Sequence, residues 1–303
     1  MIGGVDEVHE VSAALSPFDR AHERRDDDAW LAQRWSDPRT RVLHVADGQV
    51  DARGEPPEIV LDPPYPTEAG RVLLGVDDAA VAYFAVLGER PVALGAPGPS
   101  PQRAGLRQLG PQLASRDAAL VMQAIGLANW HEAHPRCSRC GTPTVLASAG
   151  YVRRCPDDGT DHHPRTDPAV IMLVTDDAGR ALLGRHARWS VRLFSTLAGF
   201  VEPGESAEQA VAREVFEEAA VVVDRVTFFG SQPWPFPSSL MLGFRAHAVG
   251  SEPVADGTEI AEALWFTRER IAAEFAAGEL MLPPRFSIAR RLIEDWYGAQ
   301  LGA

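Results

Sequence analysis

The alternation of apolar and polar positions along the first hundred residues predicts an antiparallel, β-rich domain with one early helix. A strand is predicted at Arg41–Ala46, and the Asp-Gly pair that follows it is typical of a tight hairpin turn. Arg71–Val76 and Ala80–Leu87 predict a second pair of strands around an Asp-Asp turn. Because no group of catalytic residue types stands out here, we expect a structural or dimerisation role.

Residues 91–111 are rich in Pro and Gly, which is typical of a connector. After this connector, apolar residues recur at helical spacing. This spacing predicts a helix from about Ser115 to Trp130, with Val121, Ile125 and Ala128 at core positions. This helix links the β-rich domain to the segments that follow.

From Pro168 onward, strand-like and helix-like patterns alternate, which predicts a mixed α/β domain. The predicted elements are strands at Val170–Val174, Ala181–Leu183, Val221–Val223, Leu240–Val249 and Ala263–Phe266, and helices at Ala207–Ala219 and Ser287–Tyr297. The predicted order is a β-rich N-terminal domain (1–112), a linking helix (113–132), a ribbon-like segment (133–167) and the α/β domain (168–303).

Length, composition and charge narrow the class of protein. A chain of 303 residues, 45% hydrophobic and 23% charged, is typical of a soluble protein with two cores. No apolar run is long enough to predict a membrane helix, and the acidic Met1–Glu10 lacks signal-peptide order. Three cysteines suit a reducing compartment, so we expect a cytoplasmic protein. The net charge of −13 disfavours binding along a nucleic-acid backbone but allows recognition of one nucleotide end.

A metal-binding pattern lies in the ribbon-like segment. Cys137 and Cys140 form a Cys-x-x-Cys turn, and Cys155 follows 15 residues after Cys140. Zinc takes four ligands, often supplied in such pairs. A complete second pair would place cysteine where the chain has Asp158, and His162 lies slightly further on. The pattern predicts three thiolates with Asp158 or His162 around a structural Zn²⁺, or a degenerate ribbon without metal.

The predicted helix Ala207–Ala219 carries a cluster of carboxylates. Ser206 with Gln209 predicts a capping box at its start. At 3.6 residues per turn, Glu214, Glu217 and Glu218 share an arc of about 100°. Like charges at this spacing destabilise a helix unless a cation compensates, and Mg²⁺ and Mn²⁺ prefer oxygen ligands. The neighbouring Val211, Val215 and Ala219 can face the core.

These residues belong to a longer pattern, Gly199-x5-Glu205-x7-Arg213-Glu214-Val215-x-Glu217-Glu218, which resembles the Nudix box. Ala220 occupies the position of the last glycine of the box. This difference can change the geometry of the loop that follows the helix, but it removes no metal ligand. The resemblance implies an α/β/α sandwich and a hydrolase of nucleoside diphosphate derivatives that uses Mg²⁺ or Mn²⁺.

Roles for individual residues follow from this resemblance. It implies that Glu214 and Glu218 are the leading metal ligands, with Glu217 in support. Arg213 is expected to orient the carboxylates, and Glu205 to pair with Arg213 or assist the loop. Glu259 stands where the family has a further metal-binding carboxylate.

A second motif, Ser231-Gln-Pro-Trp-Pro-Phe-Pro-Ser-Ser239, resembles the signature of the NADH pyrophosphatase type of Nudix hydrolase. A stiff loop with aromatics and small hydroxyls suits a nucleotide pocket. The resemblance implies that Phe200 contacts the nicotinamide side and that His163 replaces a family aromatic at the ribbon's edge. The other implied substrate-binding residues are Gln232, Trp234, Ser239, Met241, Glu262 and Ala289.

The resemblance implies hydrolysis of NAD(H) to NMN(H) and AMP by a homodimer. Relatives also remove the NAD cap from RNA 5′ ends, so that activity is implied as well. Two alternatives are open: a Nudix hydrolase of another substrate such as ADP-ribose, and a catalytically dead zinc-ribbon module that binds RNA. The proline–aromatic motif disfavours the first. The intact carboxylates and the lack of a basic stripe disfavour the second.

Overall fold

The computed structural model describes residues 18–67, 70–94, 100–250 and 252–302. Met1–Glu10, the basis for expecting no signal peptide, lies outside this range. The described chain divides into two compact units, an N-terminal unit (18–165 with 235–238) and a C-terminal unit (166–234 and 239–302). Within the described ranges, no helix combines the length and the apolar character needed to cross a membrane.

The N-terminal unit is built on a six-stranded sheet in the order β3-β2-β1-β5-β4, with β6 beside β2. Its elements are α1 (Asp28–Ser36), β1 (Arg41–Ala46), β2 (Gln49–Arg53), β3 (Glu58–Ile59), β4 (Arg71–Val76), β5 (Ala82–Leu87), β6 (Gln102–Gly105), α2 (Leu106–Leu109) and α3 (Ser115–Ala133). The predicted hairpin turn is confirmed, because Asp47 and Gly48 both have positive φ, 52° and 66°.

The expectation of a wholly antiparallel sheet is wrong at one pair of strands. β1 and β5 run parallel, with Arg41 opposite Tyr83, whereas the hairpins β1–β2 and β4–β5 are antiparallel. Each hairpin is a local pattern that the sequence reveals, but the pairing between hairpins depends on distant residues.

Two helices cover opposite faces of this sheet, since alternate residues of a strand point to opposite sides. Val72 and Leu74 of β4 pack in a core with Val121 and Ile125 of α3. Leu73 lies in a separate cluster with Phe84, against the partly buried Leu31 and Trp35 of α1. The core positions predicted for α3 are therefore confirmed.

The ribbon that follows α3 is a three-stranded sheet of β7 (Val145–Ala147), β8 (Val152–Arg154) and β9 (Asp161–His162). Within the same unit, Arg153 donates to His131 Nδ1 at 3.1 Å and to Thr144, while His131 Nε2 lies 2.8 Å from the Gly150 carbonyl. All three side chains are buried. This network fixes the ribbon to the end of α3.

The C-terminal unit has a mixed sheet in the order β13-β14-β10-β11-β15, with β12 beside β10. Its elements are β10 (Asp167–Thr175), β11 (Ala181–His186), β12 (Leu197–Phe200), α4 (Ala207–Ala219), β13 (Val223–Trp234), β14 (Ser239–Ala248), β15 (Ile260–Phe266), α5 (Arg268–Ala276) and α6 (Ile288–Tyr297). Val170 and Met172 pack with α4, and Ile171 and Leu173 with α6. The expected α/β/α sandwich is confirmed.

The strand predicted at Val221–Val223 overlaps the observed strand only at Val223. β13 runs from Val223 to Trp234 and takes up the first part of the proline–aromatic segment, which the sequence pattern assigned to a loop. Pro233 lies opposite Leu240 in this pairing. A proline is tolerated because β13 is an edge strand, so one side of it needs no ladder hydrogen bonds.

Candidate active site

Helix α4 carries the predicted carboxylates and begins and ends where the sequence predicts. The Ser206 side chain accepts a hydrogen bond from the Gln209 amide, and the Gln209 side chain accepts one from the Ser206 amide. Val211, Val215 and Ala219 are completely buried against the sheet. Because the apolar face is fixed in this way, the adjacent face must present Glu214, Glu217 and Glu218.

Ala220 ends the helix in the left-handed conformation, with φ 53° and ψ 26°. Its amide still donates to the Phe216 carbonyl at 2.8 Å. The geometry expected of the Nudix glycine is thus retained by an alanine, at a cost of about 1 kcal/mol.

The carboxylate of Glu214 rests directly on the backbone of β12. A β-carbon built on Gly199 would overlap the carboxyl carbon of Glu214. A glycine is needed here because of this close approach, and not because of an unusual backbone angle. The first residue of the box therefore makes room for a carboxylate that comes from the helix.

Arg213 is the centre of an ion-pair network. Its guanidinium binds both oxygens of Glu205, at 2.6 and 3.2 Å, and donates to Glu214 at 2.8 Å and to Glu217 at 3.2 Å. It also donates to the Phe200 carbonyl at 2.9 Å. Hydrogen bonds from Arg213 and from the Glu202 amide lower the pKa of Glu205. A planar fork with five donors suits such multiple pairing, which Lys could not reproduce.

Glu218 is the most buried of these carboxylates. Its side chain is 6% exposed, and its Oε2 has no hydrogen-bond partner. Burial, together with the charges of Glu214 and Glu259, raises the pKa of Glu218 to about 8. Burial also raises the pKa of Glu214. A buried oxygen without a partner is costly unless something completes it.

The loop before β15 brings Glu259 close enough for its charge to act on Glu214 and Glu218. Asp256, which the sequence did not single out, holds this loop. The Asp256 carboxylate accepts hydrogen bonds from the amides of Thr258, Glu259 and Ile260 at 2.7–3.1 Å. A hydrogen bond from the Thr258 hydroxyl, together with these backbone bonds, lowers the pKa of Asp256. The signal was present, because Asp followed by Gly-Thr is typical of a side-chain-capped turn.

The donor set fits a divalent metal ion. Four carboxylates, those of Glu214, Glu217, Glu218 and Glu259, influence one another, and ion pairs with Arg213 offset part of the charge of Glu214 and Glu217. Oxygen ligands are those that Mg²⁺ and Mn²⁺ prefer. A divalent cation would supply the partner that the buried oxygen of Glu218 lacks and would offset the clustered negative charge.

Several residues expected in the substrate pocket also lie in the C-terminal unit. Phe200, next to the Arg213 network, is 60% exposed, so its ring is available to a ligand. Trp234 stacks on Phe286 with ring centroids 5.5 Å apart. Ser239 and Met241 are half-buried on β14, and Ala289 is buried in α6.

Gln232 and Glu262 already have partners within the protein. Gln232 is buried; its amide nitrogen donates to the Phe286 carbonyl at 2.6 Å, and its oxygen accepts from the Ile288 amide at 2.7 Å. It therefore fixes the end of β13 to the start of α6. Glu262 accepts two hydrogen bonds from Arg185. His163 belongs to the N-terminal unit, where it is exposed.

The ribbon brings four ligand side chains together. The ligand atoms of Cys137, Cys140, Cys155 and Asp158 all lie within 4.8 Å of one another. Two similar turns provide them: the Gly141 amide donates to the Cys137 carbonyl, and the Gly159 amide to that of Cys155. Asp158 thus occupies the position that Cys140 occupies in the first turn. His162 lies outside the group, with its Nε2 buried and unpartnered.

Comparison with known proteins agrees with this geometry. The NUDIX domain matches residues 165–285, and the NADH pyrophosphatase zinc ribbon domain matches residues 132–162. The chain is 43% identical over 298 residues to the NAD-capped RNA hydrolase NudC of Mycobacterium bovis, with 92% of each chain covered. The chain belongs to the Nudix hydrolase family.

Other Nudix hydrolases match over shorter lengths. The NAD-capped RNA hydrolase NUDT12 of Homo sapiens is 42% identical over 197 residues, which cover 61% of this chain and 43% of that protein. A Nudix hydrolase from Nitrosomonas europaea is 22% identical, with a TM-score of 0.43, and the match covers 55% of this chain and 96% of that one.

Proposed function

We propose that this Nudix hydrolase cleaves the central diphosphate of NAD(H) to NMN(H) and AMP, and removes the NAD cap from RNA 5′ ends. The observation that carries the proposal is the 43% identity, over 92% of both chains, to a protein named as an NAD-capped RNA hydrolase. The intact carboxylate cluster on α4 and the matched NADH pyrophosphatase ribbon support it.

In this proposal, Glu214, Glu218 and Glu259 hold the catalytic cation, Mg²⁺ or Mn²⁺, and Glu217 assists from the exposed side of α4. When bound, the ion neutralises charge on the diphosphate and lowers the pKa of a water molecule. Water oxygen joins one phosphorus, and the bridging oxygen leaves with the other phosphoryl group. Each product therefore carries one phosphate.

The protein's own residues position these groups. Arg213 holds Glu214 and Glu217 by hydrogen bonds and is itself fixed by Glu205. The exposed ring of Phe200 offers a surface for a nicotinamide or adenine ring. Gln232 acts as a positioning residue, because both ends of its amide are committed to the segment that leads into α6.

The test is hydrolysis of NADH by the purified protein with Mg²⁺ or Mn²⁺, with ADP-ribose assayed in parallel. NMNH and AMP are the expected products, with ADP-ribose cleaved much more slowly. Glu218→Gln is isosteric and should lower kcat by about 10³-fold, because an amide cannot replace a carboxylate as a ligand of the cation that acts on the reacting groups.

The matched control is Glu208→Gln, on the first turn of the same helix, away from the carboxylate network, and it should retain wild-type activity. Faster cleavage of ADP-ribose than of NADH would reassign the substrate. Equal activity of wild type and Glu218→Gln would reject the proposed metal ligands.

We further propose that the ribbon binds one structural Zn²⁺ through three thiolates and Asp158. The support is the common geometry of the two turns and the gathering of the four ligand atoms. Hydrogen bonds from Thr160 lower the pKa of Asp158 to about 2, so the carboxylate is ionised and can serve as a ligand.

The resemblance also underlies our proposal of a cytoplasmic homodimer. Free cysteines suit a reducing compartment. In the C-terminal unit, Phe216 and Phe228 are 57% and 60% exposed and are candidates for burial in an interface. Light scattering coupled to gel filtration tests the dimer, and a mass near 33 kDa would contradict it.

A further inference from the structure

The N-terminal unit contains a cavity that the carboxylate chemistry does not use. Its volume is about 920 Å³, within the range of small-molecule sites. One side is formed by α1 and the turn before it, a second by β4 and β5, and a third by the turn at Ser148–Gly150. All of the lining residues belong to the N-terminal unit.

One wall of the cavity is aromatic. Trp35 of α1 is half-buried and meets Phe84 edge-on, with ring centroids 5.3 Å apart. The guanidinium of Arg71 lies 4.7 Å from the centroid of the Trp35 ring. Because Arg71 lies over one face of the indole, the guanidinium and the aromatic pair together form a wall against which a planar ring that also carries negative charge can pack.

In the part of the chain that the structure describes, two of the three arginines at the cavity form no ion pair with a carboxylate. Within the described residues, Arg71 forms no ion pair or side-chain hydrogen bond. Arg25 lies 3.3 Å from the Tyr151 ring centroid, donates to the Arg20 carbonyl, and keeps a buried Nε without a partner. The third, Arg154, is paired with Asp161 through two hydrogen bonds.

The two acidic residues of the lining, Asp26 and Asp28, form no ion pair with Arg25 or Arg71 among the described residues. Asp26 accepts a hydrogen bond from the Ser148 hydroxyl at 2.6 Å, and Asp28 occupies the first turn of α1, where the helix dipole favours a negative charge. Arg25 and Arg71 therefore keep hydrogen-bond donors that no carboxylate takes up among the described residues, and such donors suit an anionic ligand.

The third wall is a backbone turn in an unfavourable conformation. Ser148 and Ala149 have φ values of 48° and 51°, in the left-handed region that non-glycine residues avoid. Gly150 follows with φ 89°, and a β-carbon there would lie 2.6 Å from Val72. This turn contributes only small residues, Ser148, Ala149 and Gly150, to the lining of the cavity.

We propose that this cavity binds a nucleotide, with its base against Trp35 and its phosphate between Arg25 and Arg71. The ligand class follows from the combination of an aromatic wall and two unpaired guanidinium groups in a cavity of this size. The nucleotide is either a free nucleoside 5′-monophosphate or one residue of an RNA chain. The site is independent of the proposed catalytic function.

Hydrogen exchange of the zinc-loaded full chain tests this, with no Mg²⁺ or Mn²⁺ added. AMP should slow amide exchange in residues 28–36 and 145–150. Parallel samples contain adenosine, inorganic phosphate and 5′-phosphorylated tetra-adenylate. Protection by AMP and tetra-adenylate identifies a mononucleotide site, and protection by tetra-adenylate alone identifies a site for RNA.

Titration calorimetry of variants gives the second measurement. Arg71→Ala should weaken nucleotide binding by about tenfold or more, as expected for loss of a charge-assisted contact. Arg24→Ala is the matched control, since Arg24 is exposed, is paired with Asp27 and does not line the cavity. Trp35→Leu should also weaken binding, whereas NADH hydrolysis by Arg71→Ala should stay within about twofold of wild type.

The proposal is overturned if no nucleotide protects these segments, or if protection is confined to residues 199–218. Equal binding by wild type and Arg71→Ala also overturns it, as does equal protection by phosphate or adenosine alone. Because binding is measured without turnover, failure of the proposed NADH hydrolysis would leave this result unchanged.

Discussion

At the ribbon, two backbone turns gather the ligand atoms, whereas at α4 an arginine holds the carboxylates. Cys137, Cys140, Cys155 and Asp158 lie within 4.8 Å of one another because the turns after Cys137 and Cys155 have the same hydrogen bonds. On α4, the helix face and hydrogen bonds from Arg213 determine where the glutamate side chains lie. One carboxylate oxygen of Glu218 has no hydrogen-bond partner. Structural zinc sites are closed, while catalytic sites keep open positions for water and substrate.

This contrast predicts that the two sites respond differently to single substitutions. Among the substitutions that test this contrast, Arg213→Ala should have the largest effect, lowering kcat/KM by about 10- to 100-fold, because it removes the residue that orients Glu214 and Glu217. Arg213→Lys should recover only part of the loss, since a point charge cannot replace the fork. Kinetics with NADH measure this, and the exposed Arg188→Ala serves as the control. Full activity of Arg213→Lys would show that charge alone is sufficient.

At the ribbon, substitution of a ligand should act on zinc content and stability. Asp158→Ala should release zinc and lower the Tm by roughly 5–10 °C, because metal binding contributes directly to folding. Asp158→Cys should retain zinc, and His162→Ala should retain it as well. Elemental analysis and thermal unfolding measure both. Zinc loss in His162→Ala but not in Asp158→Ala would move the fourth ligand to His162.

The network behind the ribbon should make stability depend on pH. Burial, with a smaller contribution from Arg153, lowers the pKa of His131 from 6.5 to about 4. The unfolded chain therefore binds a proton at His131 more readily than the folded chain does. The contribution of neutral His131 to the free energy of unfolding is complete above about pH 6.5 and is lost as the pH falls towards 4. We expect His131 to account for at most about 3 kcal/mol of this loss.

Urea unfolding at pH 7.5 and pH 4.5 gives the measurement. His131→Gln should reduce the difference in free energy of unfolding between the two pH values, while His134→Gln should leave it as in wild type. An equal pH dependence in all three proteins would show that His131 does not cause it.

The smallest expected effect is at the end of α4. Ala220→Gly should stabilise the protein by about 0.5–1 kcal/mol, because glycine adopts the left-handed conformation without a steric penalty. Ala219→Gly, one residue earlier and fully buried in the helix, should destabilise it. Denaturant midpoints separate the two variants, and a destabilising Ala220→Gly would contradict the assignment of strain to this residue.

Local patterns predicted α4 in full because several signals coincide there: a capping box, an apolar face and fixed spacing of charged residues. The course of β13 was not predictable in the same way, since its prolines indicate a loop until the strand is known to lie at a sheet edge. The parallel pairing of β1 with β5 also depends on distant residues.

The candidate site shows the same division. The sequence identified the carboxylates by type and spacing, but burial decides which of them has an unpartnered oxygen, and that is Glu218. Gln232 was expected to face substrate, yet its amide binds the backbone at Phe286 and Ile288, far along the chain. Whether Asp158 or His162 stands near the thiolates became clear only from the repeated turn.

Gly199 shows that a residue without a functional group can determine where a charge lies. The volume that its missing side chain leaves is filled by the carboxylate of Glu214. Replacing Gly199 with alanine would therefore displace that carboxylate while leaving every charged residue of the chain in place. A survey of ionisable groups alone would judge such a variant to be intact, although its proposed metal ligand would be in the wrong position.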